Sequence, residues 1–504
     1  MIAAVAIRLD GIAAPRLDFN ATRQYHGAVL ARDYYDAIAS DVPRSKRDPA
    51  AAARENEGIL EPPVMELAAA GGFWVAGGEH LWIPRLLSAL LWVAAGLLLW
   101  RVALRVTTAR GAVIAMALFL FLPFGIVASR SFQPDPLMVM LLVAGLLGIV
   151  RYDERPTGRR FLAASFLSAA AVVSKPGICL LFLASVFLAL SVGRLGLRRA
   201  LTDVRSYAFV LLSCAPLAAY YVYGTRIESF LHVGTQSQIE PSLLGDARFW
   251  SGWFDTTTRV LAYPGLPGAV ALGVLALLVG GTALAPPGRP RAILLGLIAG
   301  YCLYGLAFTY HISTHDYYSL PLIVIVALSV GHVGALALAR VQDRLGARQR
   351  PVLLALAGVV AGVFVWQMHG TLSRSDESRV RTFERIGQTV GHSRALLFLD
   401  HDYGIPLEYY GLVAGSPWPS RADRRVERMA GLADIGPGQR FEGRDPRYFP
   451  SPQLVRPRPE FFVVTDLTEL AAQPRLRRFL FERFPVMTAG RGYVIFDLRP
   501  PVKA

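Results

Sequence analysis

Runs of about 20 apolar residues recur along most of this 504-residue chain. At a rise of 1.5 Å per residue, a helix of that length crosses the hydrocarbon of a bilayer. Hydrophobic residues make up 53% of the chain and charged residues only 18%, more apolar side chain than a soluble core could bury. We therefore predict a mainly α fold, a polytopic transmembrane helix bundle of about 10 to 11 spans. The apolar runs lie at 80–100, 111–128, 136–150, 161–175, 176–193, 206–224, 266–285, 292–311, 319–339 and 351–368.

The net charge of +15 is concentrated in alternate loops between these runs. By the positive-inside rule those loops face the cytoplasm. Residues 8–79, 129–135, 225–265, 312–318 and everything after 369 are then assigned to the outer side. The positive charge is therefore explained by the orientation of the chain in the membrane, and no nucleic-acid partner is predicted. The arginines are Arg101, Arg105, Arg110, Arg151, Arg155, Arg159, Arg160, Arg194, Arg198, Arg199, Arg205, Arg289, Arg291, Arg340, Arg344, Arg348 and Arg350.

The beginning of the chain is short of apolar residues. The stretch MIAAVAI supplies seven of them before Arg8, too few for a span. Because the topology needs the chain to emerge on the outer side there, we expect the first span to be truncated. The scarcity of lysine beside abundant arginine and alanine is typical of a GC-rich bacterium. The predicted location is therefore the bacterial inner membrane, with several passes.

Residues 370–504 are predicted to form a separate periplasmic α/β domain. Short apolar runs at 395–400, 460–466 and 492–498 predict buried strands, and 467–484 predicts a helix packed on them. No glycine-rich phosphate loop follows these strands, which argues against a nucleotide site. The three cysteines all lie inside predicted spans, so no disulfide framework is predicted.

Residues 1–369 are predicted to form the transmembrane catalytic domain, with 8–79 as a long external loop. Within this loop Ala21 to Ile38 predicts an amphipathic helix, and a second predicted helix begins at Glu61-Pro62-Pro63 and runs to Gly77-Gly78. The polar stretch between them, 41–57, is compatible with disorder.

Short motifs that contain charged or polar side chains suited to catalysis or binding lie at the outer ends of the predicted spans. They are EPP at 61–63 with RLLSALLW at 85–92, SRSFQPD at 129–135, SKPG at 174–177 and HDYYSLPL at 315–322. Their order, their side of the membrane and the acid-bearing first loop resemble the GT-C integral membrane glycosyltransferases. The similarity is to the family 39 branch, which holds the protein O-mannosyltransferases and the bacterial aminoarabinose transferases that modify lipid A. It covers residues 8 to about 340.

The resemblance implies transfer of a sugar from a polyprenyl-phosphate-sugar donor, with inversion at the anomeric carbon. The acceptor would be a hydroxyl or phosphate on an envelope lipid, glycan or protein at the periplasmic face. Its identity, like that of the donor sugar, stays open. Membrane lipids are the other expected partners.

Two acidic residues match acidic positions of the family that the chain resembles. Asp18 corresponds to the family's first-loop acid, so the resemblance gives it the role of catalytic base, since a carboxylate can take the acceptor's proton. The alternative is a cap for the helix that starts near Asn20. Asp135 corresponds to a second acid, and its setting between two prolines is equally typical of a helix N-cap.

A departing polyprenyl phosphate gains negative charge and needs cations. The candidates are Lys175, Arg85, Arg130 and Arg23. Lys175 could instead snorkel to the headgroups from a helix end. For Arg85 the structural alternative is an ion pair with Glu61 or Glu66.

Polar side chains also cluster at the predicted outer ends of the runs 292–311 and 319–339: His311, His315, Asp316, Tyr317 and Tyr318. We predict that this cluster, with Glu61, lines the substrate cavity. A divalent-metal site that recruits Asp18, His26 and Asp135 is the alternative. No metal or other cofactor is predicted.

The rival function is a polytopic transporter or lipid-sugar flippase without transferase activity. Such a protein should place charges or broken helices near mid-bilayer, whereas here the acids lie at one face. A ligase or polymerase of O-antigen type and a non-catalytic scaffold are further alternatives.

Overall fold

The computed structural model describes residues 1–39, 42–59, 61–227, 239–263, 268–345, 358, 362–364, 367–421 and 458–499. Most of the predicted span at 351–368 lies outside these residues. Within them, helices dominate and a single small sheet lies near the C-terminus. The predicted mainly helical fold with a small C-terminal α/β region is confirmed, and the number of about 10 to 11 spans stays a prediction.

The helices have the following bounds: α1 (Ile2–Leu9), α2 (Ala21–Ile38), α3 (Arg44–Glu57), α4 (Val64–Ala76), α5 (Trp82–Ala103), α6 (Ala109–Phe121), α7 (Pro123–Ala128), α8 (Asp135–Glu154), α9 (Gly158–Ser174), α10 (Pro176–Leu195), α11 (Leu197–Thr202), α12 (Val204–Val222), α13 (Ala247–Ala262), α14 (Gly268–Leu284), α15 (Arg289–Ala307), α16 (Thr309–Thr314), α17 (Pro321–Leu345), α18 (Glu377–Thr389), α19 (Ile405–Gly411), α20 (Leu467–Ala471) and α21 (Pro474–Arg483). A π-helical turn follows α12 at Tyr223–Ile227, and 3₁₀ turns occupy Pro241–Gly245 and Asp316–Ser319.

The chain divides into two compact units. The membrane unit comprises Met1–Ile12, Leu60–Val64 and Pro84–Arg374, and the mixed unit comprises Ala13–Ile59, Met65–Ile83 and Ser375–Ala504. The mixed unit thus joins most of the first external loop with the C-terminal α/β region. The assignment of a catalytic domain to 1–369 stays a prediction.

Six helical segments of the described residues are long and apolar enough to cross a membrane: Trp82–Ala103, Asp135–Glu154, Pro176–Leu195, Val204–Ile227, Arg289–Ala307 and Asp316–Asp343. The predicted span at 111–128 is divided into α6 and α7. Pro123 is the reason, since it has no N–H to continue the helix and its ring excludes the preceding turn.

Glycines allow the helices of the membrane unit to pack closely. A Cβ at Gly296 would lie 2.7 Å from the Cα of Val186, and one at Gly300 would lie 2.6 Å from the Cα of Phe182. These two glycines are four residues apart on α15, so they present one flat strip to α10, as small residues do between membrane helices. Elsewhere apolar side chains are turned outward, such as Phe166 and Leu211. Exposed apolar faces of this kind suit contact with lipid.

The mixed unit contains the external-loop helices and the sheet. Helix α2 has the predicted bounds, and α4 forms where the second loop helix is predicted. The expectation of an irregular stretch at 41–57 is wrong, because residues 44–57 form α3. An ion pair between Arg54 and Asp33, with Nε 2.7 Å from Oδ2, attaches α3 to α2.

Five strands, β1 (Leu396–Leu399), β2 (Gly415–Pro417), β3 (Phe461–Val464), β4 (Val486–Gly490) and β5 (Tyr493–Asp497), form one sheet in the order β2-β1-β3-β5-β4. Strand β1 pairs in parallel with β2 and β3, and β5 pairs antiparallel with β3 and β4. The three predicted strands are confirmed as β1, β3 and β5, all buried except at the end of β5. The predicted helix at 467–484 is interrupted before Pro474, which starts α21.

Candidate active site

A buried ion pair lies at one end of the membrane unit. Asp135 is the first residue of α8, and Lys175 occupies the junction between α9 and α10. Lys175 Nζ donates to Asp135 Oδ1 at 2.6 Å. Asp135 makes no capping hydrogen bond, and the N-cap of α8 is Pro134. The alternative in which Asp135 is an N-cap is therefore wrong, and its carboxylate instead faces the lysine.

Aromatic rings surround the ammonium group of Lys175. Its Nζ lies 4.6 Å from the ring centre of Tyr318 and 4.9 Å from that of Tyr317. Both tyrosines belong to the 3₁₀ turn before α17, and their rings are 4.5 Å apart. Ring faces attract a cation and exclude water at the same time. With 4% exposure, Lys175 points into protein rather than toward headgroups, so the snorkelling alternative is wrong.

The histidines and Glu61 lie around the same turn. The His311 ring centre is 4.6 Å from that of Tyr318, and the His315 ring centre is 5.5 Å from that of Tyr317. Tyr304 of α15, whose ring lies 6.2 Å from that of Tyr318, interacts electrostatically with both Asp135 and Glu61. The fold thus brings Asp135, Lys175, Tyr317, His315 and Glu61 into one region, together with Asp316 at the start of the turn. Tyr304 also belongs to this region, but the sequence does not indicate it, because it looks like any tyrosine at a membrane interface.

Close packing explains why the SKPG motif ends in a glycine. Gly177, in the first turn of α10, lies so close to Phe308 that a Cβ there would be 2.4 Å from the end of the ring. Phe308 in turn stacks on Tyr304, with ring centres 5.1 Å apart. The glycine therefore helps to place α10, and with it Lys175, against the tyrosine cluster.

Three buried arginines gather around the first residues of the membrane unit. Arg85 donates to the carbonyl of Ile12 at 3.1 Å, and Arg130 donates to the carbonyl of Asp10. Arg8, which is fully buried, donates to Ser129 Oγ at 2.6 Å and to the carbonyls of Ala4 and Leu120 at 2.8 Å. The hydrogen-bond partners of Arg8 are all neutral, and Arg130 acts on it as a like charge. Sequence reasoning missed Arg8 because it ends the short apolar stretch at the start of the chain.

Asp18 lies in the mixed unit, on the segment that leads into α2. Its Oδ2 is 3.7 Å from Arg16 Nη1, and its side chain is 18% exposed. The N-cap of α2 is Asn20, without a side-chain capping bond. The next two residues, Phe19 and Asn20, have positive φ of 28° and 54°. Non-glycine residues rarely adopt this conformation, and it is found disproportionately at functional sites.

Hydrogen bonds hold the strained segment in place. Leu17 N donates to Asp376 Oδ2 at 2.8 Å, and Asp376 N donates to the carbonyl of Pro15 at 3.0 Å. Gln24 Nε2 donates to the carbonyl of Asp18 at 2.8 Å. The backbone around Asp18 is thus fixed on two sides, while its carboxylate keeps access to solvent.

Arg23 and His26 lie on the first two turns of α2. His26 hydrogen-bonds through Nε2 to the carbonyl of Gly58 at 3.2 Å. Burial lowers the pKa of His26 to about 4, and the Arg23 guanidinium acts in the same direction. Among the described residues, no three His, Cys, Asp or Glu side chains are grouped closely enough to hold a metal ion.

Comparison with known proteins adds two observations. A family model described as dolichyl-phosphate-mannose-protein mannosyltransferase matches residues 60–220. The structure of ArnT from Cupriavidus metallidurans bound to undecaprenyl phosphate superimposes with a TM-score of 0.60 at 15% identity, over 98% of this chain and 96% of that one. The chain shares the fold of ArnT.

This chain also superimposes on a second structure, the archaeal oligosaccharyltransferase AglB from Archaeoglobus fulgidus in complex with an inhibitory peptide and a dolichol-phosphate. The TM-score is 0.54 at 12% identity, over 94% of this chain and 70% of that chain. No curated protein matches the sequence. The region 60–220 that matches the family model contains Glu61, Arg85, Arg130, Asp135 and Lys175.

Proposed function

We propose that this protein is a membrane glycosyltransferase that moves a sugar from a polyprenyl-phosphate-sugar donor to a hydroxyl or phosphate of an envelope lipid, glycan or protein. The reaction would take place at the periplasmic face of the bacterial inner membrane, with the C-terminal α/β region on the same side. The observation that carries the proposal is the buried Lys175–Asp135 pair beneath Tyr317 and Tyr318. Partial match to the mannosyltransferase family model and the ArnT fold support it.

In the proposed reaction an acceptor oxygen attacks the anomeric carbon of the donor. The bond from that carbon to the phosphate oxygen breaks, and the bonding pair leaves with the polyprenyl phosphate. Where the acceptor is a hydroxyl, its proton passes to the Asp18 carboxylate. Attack opposite to the leaving group inverts the anomeric centre.

The leaving phosphate needs positive charge in a region of low dielectric. Lys175 would supply it at the centre of the aromatic cluster, with Arg85 and Arg130 as further contacts. Asp135 would orient the ammonium group of Lys175, since a buried carboxylate at 2.6 Å restricts its position. Glu61, His315, Asp316 and Tyr317 would line the donor or acceptor cavity, and Arg23 would contact a phosphate or headgroup near Asp18.

Two features distinguish this proposal from a transporter or flippase. Asp135 and Lys175 lie at helix ends, where α8 and α10 begin, rather than inside a span. The segment of Asp18 is held rigidly by Asp376 and Gln24, which suits a fixed base. A flippase would move lipid-linked sugar without cleaving it, so the two functions differ in whether free polyprenyl phosphate is produced.

The test is turnover by the full-length protein reconstituted in liposomes. Undecaprenyl-phosphate-mannose and undecaprenyl-phosphate-aminoarabinose serve as donors, a bacterial envelope extract of lipids, glycans and proteins supplies the acceptor, and release of undecaprenyl phosphate is measured by mass spectrometry. We expect Asp18→Asn to lower turnover by about a thousandfold, the middle of the range for loss of a general base. Asp255→Asn is the matched control, because Asp255 is exposed and pairs only with Arg259 on its own helix. Equal turnover by wild type and Asp18→Asn would refute the role of Asp18.

Binding of the product does not depend on knowing the donor sugar. We expect undecaprenyl phosphate itself to bind wild type, and Lys175→Gln to bind it at least about tenfold more weakly. Unchanged binding in Lys175→Gln would remove Lys175 from the phosphate site. Transport of intact donor across the liposome membrane, without release of undecaprenyl phosphate, would favour the flippase.

A further inference from the structure

A cavity lies at the opposite end of the membrane helices from Lys175. Its volume is about 590 Å³, and it opens between the C-terminal ends of α5 and α8 and the first half of α9. Lys175 follows the last residue of α9, whereas this cavity contacts Arg160 and Ala163 near the first. The cavity is therefore separate from the proposed active site and lies where the positive-inside rule assigns the cytoplasmic leaflet.

The polar side of the cavity carries excess positive charge. Four arginines line it, Arg101, Arg105, Arg151 and Arg160, against the single carboxylate of Glu154. Arg105 occupies that carboxylate, with Nε 2.7 Å from Oε1. Arg160 donates to the backbone carbonyl of Arg151 at 2.8 Å, a neutral partner. Within the described part of the chain, no carboxylate pairs with Arg101, Arg151 or Arg160.

The other side of the cavity is apolar. Leu98 of α5, Leu147 of α8 and Leu167 of α9 line it, together with small residues that leave the space open. Gly148 is one of these, and a Cβ there would lie 3.1 Å from the Cα of Ala164 on the neighbouring helix. A soluble anion would use the arginines but leave the leucine wall dry and empty. A ligand with a negative headgroup and hydrocarbon chains would satisfy both sides.

We propose that this cavity binds an anionic phospholipid of the surrounding bilayer. Its phosphate would contact Arg101, Arg151 and Arg160, and its acyl chains would lie along Leu98, Leu147 and Leu167. Basic pockets between membrane helices on the cytoplasmic side recognise acidic headgroups in this way. The simpler alternative is that the arginines only orient the chain in the membrane, in which case no lipid class would be preferred.

The experiment uses the full-length protein in detergent with dioleoyl phosphatidylglycerol or dioleoyl phosphatidylcholine as the probe, and native mass spectrometry counts retained lipid. We expect wild type to retain phosphatidylglycerol selectively. The double variant Arg101→Gln with Arg151→Gln should lower that retention about tenfold or more. Arg155→Gln with Arg159→Gln is the matched control, since these two exposed arginines, after the end of α8 and at the start of α9, do not line the cavity.

A second variant tests the cavity without changing charge or topology. Ala163→Phe places a ring into the space from its exposed rim, and it should lower phosphatidylglycerol retention while leaving all arginines in place. Retention equal to wild type in both the arginine double variant and Ala163→Phe would overturn the proposal. So would selective retention of inorganic phosphate without lipid, or of undecaprenyl phosphate in place of phosphatidylglycerol.

Discussion

Lys175 Nζ lies 2.6 Å from Asp135 Oδ1, and these side chains expose only 5% and 1% of their surfaces. Removing one partner of such a pair leaves an uncompensated buried charge, which costs about 3–5 kcal/mol. Replacing both partners by apolar residues costs much less, because the desolvation of both charges is avoided. The pair therefore offers a way to separate its structural role from its chemical one.

We expect Lys175→Met and Asp135→Leu each to lower the thermal unfolding midpoint, and the double variant Lys175→Met with Asp135→Leu to recover part of the loss. Differential scanning fluorimetry of the purified protein measures this. The double variant should nonetheless fail to bind undecaprenyl phosphate, because it lacks the cation. If the double variant were as unstable as the two single losses added together, the two side chains would not act as a pair.

The ring of Tyr318 should matter more than its hydroxyl. Its centre is 4.6 Å from Nζ of the buried Lys175, and a desolvated cation over an aromatic ring is stabilised by about 1–2 kcal/mol. Tyr318→Phe should bind undecaprenyl phosphate within about twofold of wild type, whereas Tyr318→Ala should bind about tenfold more weakly. Tyr207→Ala, at an exposed tyrosine of α12, is the control. Equal loss in the Phe and Ala variants would assign the effect to the hydroxyl.

The contact between α15 and α10 should not tolerate a methyl group at Gly300. A Cβ there would lie 2.6 Å from the Cα of Phe182, and backbone cannot yield as a flexible side chain can. We expect Gly300→Ala to destabilise the protein by about 1–3 kcal/mol, seen as a lower thermal midpoint. Gly273→Ala on α14 is the matched control, because nothing lies within 4 Å of its added Cβ. A midpoint for Gly300→Ala at or above that of Gly273→Ala would contradict the packing.

The mixed unit should respond to pH through Glu57. Burial raises the pKa of Glu57 to about 7 from an ordinary 4.5, although a hydrogen bond with Glu408 opposes the shift. Between these two values the folded state holds more protons than the unfolded state, so the contribution of Glu57 to stability decreases as pH rises through this window.

The glutamine side chain of Glu57→Gln cannot ionise, so this variant does not lose stability through residue 57 as pH rises. Its thermal midpoint relative to wild type should therefore increase between about pH 5 and about pH 8. His26, with its lowered pKa, acts in the opposite direction, but it is present in both proteins and cancels in the difference. Glu377→Gln, at an exposed carboxylate of α18, should show no such trend. A pH-independent difference for Glu57→Gln would mean that Glu57 is ionised in the folded protein.

The hydrophobic pattern of the sequence predicted those helices and strands that contain a continuous run of apolar residues. The apolar runs predicted the long apolar helices of the membrane unit, and the short runs at 395–400, 460–466 and 492–498 predicted β1, β3 and β5. Strands β2 and β4 were missed. Strand β2 is only three residues long, and β4 is mostly exposed, so neither has a continuous buried run. Helix α3 was missed because its sequence is polar on most of its surface, and its attachment to α2 depends on the Arg54–Asp33 pair.

The candidate site depends on contacts between residues far apart in the chain, which the sequence pattern does not predict. The sequence by itself determined that Asp135, Lys175 and Tyr317 lie near helix ends, and it predicts that these ends share one side of the membrane, because span length and loop charge indicate which end of each helix is outermost. Only the tertiary structure decided that Lys175 pairs with Asp135 beneath two tyrosine rings, that Tyr304 joins them and that Arg8 is buried. Pairing across 40 residues is set by helix packing, in which Gly177 and Gly300 allow close approach, and packing is a property of several helices at once.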